Sequence, residues 1–413
     1  MRETEPRFVS GQAGYSLAEG FGTTAGWQNR NFFGDARNFA VGLKSNTGLL
    51  ARTSGGNNSP WDLGANLSIQ QPYFFSPRVS LIVAPFVLFE RDSHLQTSDR
   101  FYGLNRREVG IESTVIYQFL RLRTLGLKHI YNRNLEFTRP VEEDSLLLRD
   151  PYTKSVLSLS GSFGKTDDLL RPEQGFELRP FLEYGGGPIG SQIDFTKIGT
   201  GATTYMKFSN NFGFVGRVTI GRVVPLGASK DNLNGEGGQL DSLKFENRFD
   251  QILFESGGAN DVRGWPDRFM GAKIPRPQYD ANGTIRGYVY EPAGGKAKWT
   301  ASASALLPFP GLSSDWRLAA FVDAGALSGK VKRIGTSTFV VEDDGRFTLS
   351  RMRVGVGSGI RYRTAFGFLR LDLAYKVNPS VDDLRTPAAS FFDEDETIRI
   401  RRFRLHLSIG QTF

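Results

Sequence analysis

Few residue types in this chain are placed to do covalent chemistry. Cysteine is absent, and the three histidines, His94, His129 and His406, are scattered. There is no Gly-x-Ser-x-Gly elbow and no His-Glu-x-x-His helix. Gly185-Gly186-Gly187 lacks the lysine of a phosphate loop. The acidic run Asp393-Glu394-Asp395-Glu396 reads as a solvated outer loop, with calcium or lipopolysaccharide bridging as the alternative. No metal site, no cofactor and no enzymatic activity is expected. One segment poses a sharper physical problem: Gly257-Gly258-Ala259-Asn260-Asp261-Val262-Arg263-Gly264-Trp265. Arg263 carries a permanent charge on a rigid donor fork. On spacing alone, an Arg-Gly-aromatic tripeptide is most simply an exposed turn. Its setting argues otherwise, because it follows a Gly-Gly pair inside the longest connection of the chain.

The elements that would position this segment have a period of two. Val109, Ile111, Val115, Tyr117 and Phe119 alternate with Glu108, Gly110, Glu112, Thr114 and Gln118, Ile116 being the exception. Leu157, Leu159 and Phe163 alternate with Ser158, Ser160, Ser162 and Gly164. Near the C-terminus, Val354, Val356, Ile360 and Tyr362 interleave with Arg353, Gly355, Gly357, Gly359, Arg361 and Arg363. Leu369, Leu371, Leu373 and Tyr375 interleave with Arg370, Asp372 and Ala374. A strand with one apolar face can pack it on a soluble core. Here the second face is rich in Arg, Glu and Gly, which suits the lumen of a membrane barrel.

About sixteen such strands are expected, starting near Arg7, Phe21, Arg37, Trp61, Val79, Arg107, Arg123, Thr153, Gly175, Ile193, Phe214, Lys296, Trp316, Arg351, Gly367 and Ile398. Connections after even strands are mostly tight, whereas most after odd strands are long, up to Gly227–Gly295. Short periplasmic turns and long outer loops produce this asymmetry, which puts both termini on the periplasmic side. Trp27, Phe32, Phe33, Trp61, Tyr73, Phe74 and Phe75 fall near strand ends, where interfacial girdles lie. The fold class is therefore all-β: a transmembrane antiparallel β-barrel of sixteen strands, with residues 1–413 as one barrel domain.

Composition agrees with that class. Of 413 residues, only 39% are apolar, and the best apolar run, Leu81–Phe89, is broken by Pro85. A transmembrane helix needs about 20 consecutive apolar residues. The net charge of +8 is spread along the chain, so no nucleic-acid partner is expected. Outer-membrane lipids and lipopolysaccharide are the expected surroundings. No signal peptide follows Met1, where Arg2, Glu3, Thr4, Glu5 and Pro6 are polar. Export requires one, so residues before Met1 are expected to have been removed.

These features together resemble the barrel domain of the BamA/TamA superfamily of outer-membrane insertases and translocases. Val262-Arg263-Gly264-Trp265 is similar to that family's Val-Arg-Gly-aromatic signature, in the matching sixth outer loop. Ile252-Leu253-Phe254-Glu255-Ser256-Gly257-Gly258 is similar to its approach segment. Arg171–Phe176, Glu183–Gly190, Phe321-Val322-Asp323-Ala324-Gly325, Gly359–Asp372, Gly14-Tyr15-Ser16 and Asn29–Gly34 resemble further strands in the right order. The resemblance implies a loop folded into the lumen and a lateral seam between the first and last strands. It also implies periplasmic POTRA modules ahead of the barrel, which are absent from this chain. The family's twelfth strand often carries a Glu facing the loop arginine, whereas Ser302, Ser304 and small residues stand here. Asp323 is then the clearer partner: it alternates with Phe321 and is expected to point inward. Inside a lumen Arg263 needs carboxylates or carbonyls. Gly264 lets the backbone approach the wall, and Trp265 supplies an apolar anchor with one donor.

The implied function is outer-membrane protein assembly. Client proteins would be inserted or translocated at the seam, where Gly11, Gly14 and Gly410 weaken pairing. Unfolded outer-membrane clients, and accessory periplasmic lipoproteins, are the implied protein partners. A passive or structural pore and a two-partner-secretion translocator are the alternatives. The terminal strand, with Leu405, Leu407, Ile409 and Phe413, resembles the β-signal that outer-membrane barrels present for their own insertion. Replacing Phe413 with a polar residue should therefore lower the yield of assembled barrel several-fold in cells. Unchanged heat-modifiable mobility and yield would show that the terminal aromatic has no targeting role.

Overall fold

A strand in water buries its apolar face on a core, and a strand in a bilayer turns that face outward. The computed structural model describes residues 6–16, 20–47, 61–92, 96–97, 100–101, 104–120, 123–138, 151–168, 172–209, 212–233, 252–279, 285–292, 294–313, 315–328, 330–334, 338–342, 352–364, 367–384 and 402–409. Sixteen strands form one antiparallel sheet in which each pairs with its neighbour in sequence. They are β1 (Arg7–Ser16), β2 (Gly20–Asn29), β3 (Asn38–Asn46), β4 (Trp61–Gln71), β5 (Val79–Asp92) and β6 (Leu104–Leu120). Then come β7 (Arg123–Thr138), β8 (Tyr152–Thr166), β9 (Gly175–Gly185), β10 (Phe195–Lys207) and β11 (Gly213–Pro225). The last five are β12 (Ala297–Pro308), β13 (Trp316–Ser328), β14 (Arg353–Thr364), β15 (Gly367–Lys376) and β16 (Phe403–Ile409).

All sixteen expected strands are present; three start two or more residues late, the fourteenth at Arg353 rather than Arg351. The tenth begins at Phe195 rather than Ile193, because the Ser191 hydroxyl donates to the Ile193 carbonyl at 2.9 Å and closes a bend there. The sixteenth begins at Phe403 rather than Ile398; Arg402 stands in a turn, and residues 398–401 lie outside the described residues. Two prolines sit in the interior of barrel strands. Without an N–H, Pro85 in β5 and Pro180 in β9 cannot donate to a ladder. The β4–β5 pairing skips from Asn66↔Phe86 to Ile69↔Val83, and β8–β9 from Ser160↔Phe181 to Phe163↔Leu178.

The sheet is curled into a tube. From β9 to β14 is five inter-strand steps, about 24 Å if the sheet were flat. Yet Arg363 of β14 donates to Glu173, just ahead of β9, at 2.8 Å. One end carries connections such as 30–37, 72–78, 167–174 and 309–315; the other carries the long segments 226–296 and 377–402. Short accessory hairpins occupy the long-loop end, among them Lys273–Tyr279 with Ile285–Pro292.

The faces are inverted relative to a soluble protein. Leu125, Leu127, Leu157, Leu159, Leu178, Leu182, Leu371 and Leu373 are exposed on the outside. Asn132, Asn134, Ser158, Thr300, Asp323, Arg361, Arg370, Asp372 and His406 are buried on the inside. The long segment after β11 enters the lumen, where its Ile252 and Leu253 pack with Tyr152, Val156, Ile193, Phe195 and Val223. This is a transmembrane β-barrel with its sixth outer loop folded inward. Leu159 stands mid-strand on the lipid face, so Leu159→Arg should destabilise the barrel in phospholipid vesicles by about 2–4 kcal/mol. Reversible urea unfolding measures this, and an unchanged midpoint would contradict the outward assignment.

Candidate functional site in the lumen

The geometry that brings the loop signature to the wall begins with two glycines. Gly257 (φ +116°) and Gly264 (φ +108°) adopt backbone conformations that L side chains rarely enter. A Cβ on Gly257 would also run into the Pro266 carbonyl oxygen. Between them the Asp261 carboxylate accepts from the Ser256 hydroxyl (2.6 Å), the Gly257 N–H (3.2 Å) and the Lys298 ammonium of β12 (2.7 Å). The Gly258 N–H closes the turn on the Trp265 carbonyl at 3.1 Å.

Arg263 projects from this turn onto the inner faces of β12 and β13. Its Nε donates to Asp323 Oδ2 at 2.7 Å and its Nη2 to Asp323 Oδ1 at 2.7 Å, a bidentate fork. The Arg263 backbone N–H adds a third bond to Oδ2 at 2.9 Å. Asp323 is fully buried and Arg263 only 5% exposed, so each charge depends on the other for compensation. Nη2 also donates to the Ser302 and Ser304 hydroxyls, both at 3.0 Å, and Ser302 in turn donates to Asp323 at 2.7 Å. The two serines that depart from the family pattern thus hydrogen-bond the arginine directly. Phe321, two residues before Asp323, faces the same way, and the guanidinium stacks 3.5 Å from its ring centroid. Such a cation–π contact contributes about 0.5–2 kcal/mol.

A second ion pair adjoins the first. Arg361 of β14 grips Asp372 of β15 through both Nη atoms, and Arg263 Nη1 lies 3.7 Å from the same carboxylate. The glycine face of β14 makes room for this assembly. A Cβ at Gly355 would strike the Arg263 carbonyl oxygen, and one at Gly359 the Asp372 carboxylate. The Gly264 N–H then donates to His406 Nε2 of β16 at 3.3 Å. Val262 and Trp265 are fully buried, packed with Met270 against Leu327. The Trp265 Nε1 has no hydrogen-bond partner among the described residues, so its contribution is apolar packing.

Sequence reading had placed Asp323 beside Arg263 but had not assigned Ser302, Ser304, Arg361, Asp372 or His406 to this site. Their signal was the inward-facing polar set of the last strands, which alternation identifies without saying what it meets. A further hub went unread. Asp383, in a short helix (Val381–Leu384) after β15, accepts from the Gly271 N–H at 3.0 Å, Arg353 Nε at 2.6 Å and the Ser380 hydroxyl at 2.7 Å. Burial works against its ionisation, but the Lys273 charge and the bonds from Ser380 and Gly271 outweigh it and hold the carboxyl below the usual carboxylate range. It ties the exit of the long loop to β14.

The remaining sequence-derived residues lie apart from this centre. Gly11 and Gly14 stand in β1, paired with Ala25 and Gly22 of β2. Leu405 and Leu407 are exposed on the outer face of β16, and Ile409 ends the described strand. Gly410 and Phe413 lie outside the described residues, as do His94 and the acidic run Asp393–Glu396. His129 is hydrogen-bonded to Ser155 at 2.8 Å. Among the described residues, no group of three or more His, Asp and Glu is placed to hold a metal ion.

Removing one member of a buried pair leaves the other uncompensated. Asp323→Ala should cost about 3–5 kcal/mol and expose the Gly257–Trp265 segment to added protease in the folded barrel. Protection equal to that of the parent chain would mean that the loop is held by its apolar contacts alone.

Comparison with known proteins agrees with this architecture. A model of the Omp85 superfamily domain matches residues 31–413. The chain is 31% identical over 110 residues to the outer membrane protein assembly factor BamA of Nitratidesulfovibrio vulgaris, covering 27% of this chain and 12% of that relative. The solved structure of BamA from Haemophilus ducreyi lacking POTRA domains 1-3 matches with a TM-score of 0.66 at 17% identity, over 100% of this chain and 71% of that one. CdiB from Escherichia coli matches at 0.50 and 10% identity, over 92% of this chain and 60% of that one. At such identities the solved structures show a common fold. With the family match running from the turn after β2 through the loop signature to the last residue, the chain belongs to the Omp85 superfamily of outer-membrane β-barrel proteins.

Proposed function

We propose that this barrel inserts or translocates client proteins at a seam between β1 and β16, with both termini on the periplasmic side. The observation that carries the reading is the Gly264–His406 bond. Through it the pinned loop reaches the strand that borders the seam, so the position of β16 and the state of the loop are mechanically linked. Other features favour a seam that opens. In β1, Gly14 faces Gly22, and among the described residues nothing lies within 4 Å of a Cβ built on Gly11. Glycine contributes no cross-strand contact and weakens a strand. A freed strand edge presents unpaired N–H and C=O groups that template an incoming strand. The clients are unfolded outer-membrane proteins, the surrounding lipid includes lipopolysaccharide, and accessory lipoproteins would dock at the periplasmic end. The Leu405, Leu407, Ile409 and Phe413 face acts in the chain's own assembly, and Val262, Arg263, Gly264 and Trp265 with Asp323 act as the lumen anchor.

The chain has no native cysteine, so engineered pairs report cleanly. Cysteines at Gly11 or Ala13 against Leu405 or Leu407, in the full-length protein with the segments that precede the barrel, should crosslink on oxidation. The locked form should remain folded and lose client assembly in proteoliposomes, and reductant should restore it. Equal client assembly in the oxidised and reduced states would defeat the seam mechanism and leave a passive pore, whose conductance the lock does not change.

A further inference from the structure

The outer wall carries a charged patch that neither the loop nor the seam uses. On β7, Tyr131, Arg133 and Leu135 are exposed while Asn132 and Asn134 between them are buried, so Arg133 points out of the barrel toward lipid. Arg107 of β6 faces the same way, in step with the exposed Val109 and Ile111. Across the two strands Arg107 pairs with Leu135 and Val109 with Arg133. The two arginines are therefore diagonal neighbours, on the order of 7–8 Å apart. Arg107 lies over the Phe89 ring of β5, 5.3 Å from its centroid. The other outward neighbours are Val87, Tyr131 and Thr153. No carboxylate stands among them, and neither guanidinium is in an ion pair among the described residues.

The patch stands at headgroup level. Arg123, at the short-turn end of β7, is also exposed on the outer face, and Leu125, Leu127, His129 and Tyr131 follow on that face up to Arg133. Arg123 to Arg133 spans about 33 Å along the strand, or about 25 Å along the membrane normal at the usual tilt. That is about the height of the apolar band of an outer-membrane barrel. Arginines thus mark both edges of the band on this strand, and Arg133 with Arg107 marks the long-loop edge.

Two like charges this close beside lipid are unfavourable without an anion. Two guanidinium forks suit a group that has several oxygens and close to two negative charges. A phosphomonoester has both at neutral pH, whereas a phosphodiester has a single charge and fewer free oxygens. We propose that Arg107 and Arg133 form a binding site for the phosphomonoester headgroup of an outer-leaflet lipid of the lipid A type. Its acyl chains lie on the apolar wall below, along the exposed Ile111, Leu127 and Leu157. The bound lipid holds β6 and β7 at a fixed depth in the outer leaflet. The inference rests on the orientation given above, with the long loops outside, and not on the seam.

The test uses the purified full chain in a non-ionic detergent, titrated with diphosphoryl lipid A and read by native mass spectrometry. Micelles have no inner or outer leaflet, so a failure counts against the site and leaves the orientation and the seam untouched. A saturable lipid A adduct is expected. Its affinity should fall on the order of tenfold in Arg107→Gln and in Arg133→Gln, because each removes charge-assisted hydrogen bonds. It should be unchanged in Arg222→Gln, an exposed arginine on the outer face of β11. Dephosphorylated lipid A should bind no more tightly to the parent than to the double glutamine variant, and phosphatidylglycerol, a phosphodiester, should bind the parent several-fold more weakly than lipid A. Heat-modifiable mobility verifies folding. Where a glutamine variant does not fold, the corresponding lysine variant, which keeps the charge and loses the fork, takes its place with several-fold weakening expected. Equal affinity for lipid A in the parent and the two arginine variants, or equal affinity of the parent for lipid A and its dephosphorylated form, overturns the proposal. Phosphatidylglycerol binding as tightly as lipid A overturns the phosphomonoester assignment, and inorganic phosphate doing so overturns the assignment to a lipid.

Discussion

A guanidinium held inside a barrel stays there only if its counter-charge is built into the wall. Arg263 meets that condition with two side-chain bonds and one backbone bond to a single fully buried carboxylate, Asp323. The remaining contacts of the loop follow from where that pair is placed. Ser302 and Ser304 complete the donor set on one side, Phe321 supplies a ring face beneath, and Asp372 extends the charge network to Arg361. Such a network is high-stakes, because each member is buried by the others and loses compensation when one is removed.

The pair also determines which residues can surround it. A backbone pressed against a strand leaves no room for Cβ atoms, so Gly355 and Gly359 fall on the β14 face beneath the loop and Gly264 takes a positive φ above it. The loop then contacts an arc of the wall. Ile252 and Leu253 pack against β8 and β11, Lys298 and Asp323 hold the middle, and His406 receives the Gly264 N–H on β16. The braced arc thus ends on β16, the last strand of the sheet, while β1, the first, carries Gly11 and Gly14.

Much of the fold was legible in the sequence because lipid imposes a strictly local rule. With no water to bond the backbone, strands must close on one another, and each side chain faces either lipid or lumen according to parity. Leu157 and Leu159 against Ser158, or Leu371 and Leu373 against Arg370 and Asp372, show this without any knowledge of neighbours. Where a strand began was less legible: Ser191 closes a bend on Ile193 through a side-chain bond, and hydrophobic alternation is blind to it. Pro85 and Pro180 interrupt apolar runs, yet each sits inside a strand whose ladder adjusts locally.

The sequence by itself therefore determined the number and order of the strands, the face each residue occupies and the identity of the loop that leaves the wall, since all of these depend on alternation over a few neighbouring positions. The inward set of arginines, aspartates and serines was visible in the same way. Only the tertiary structure decided which of them meet. Arg263 and Asp323 are 60 residues apart and Gly264 and His406 are 142 apart, and whether they touch depends on how far the sheet curls and how deep the loop descends. Those are properties of barrel closure, and no local pattern encodes them.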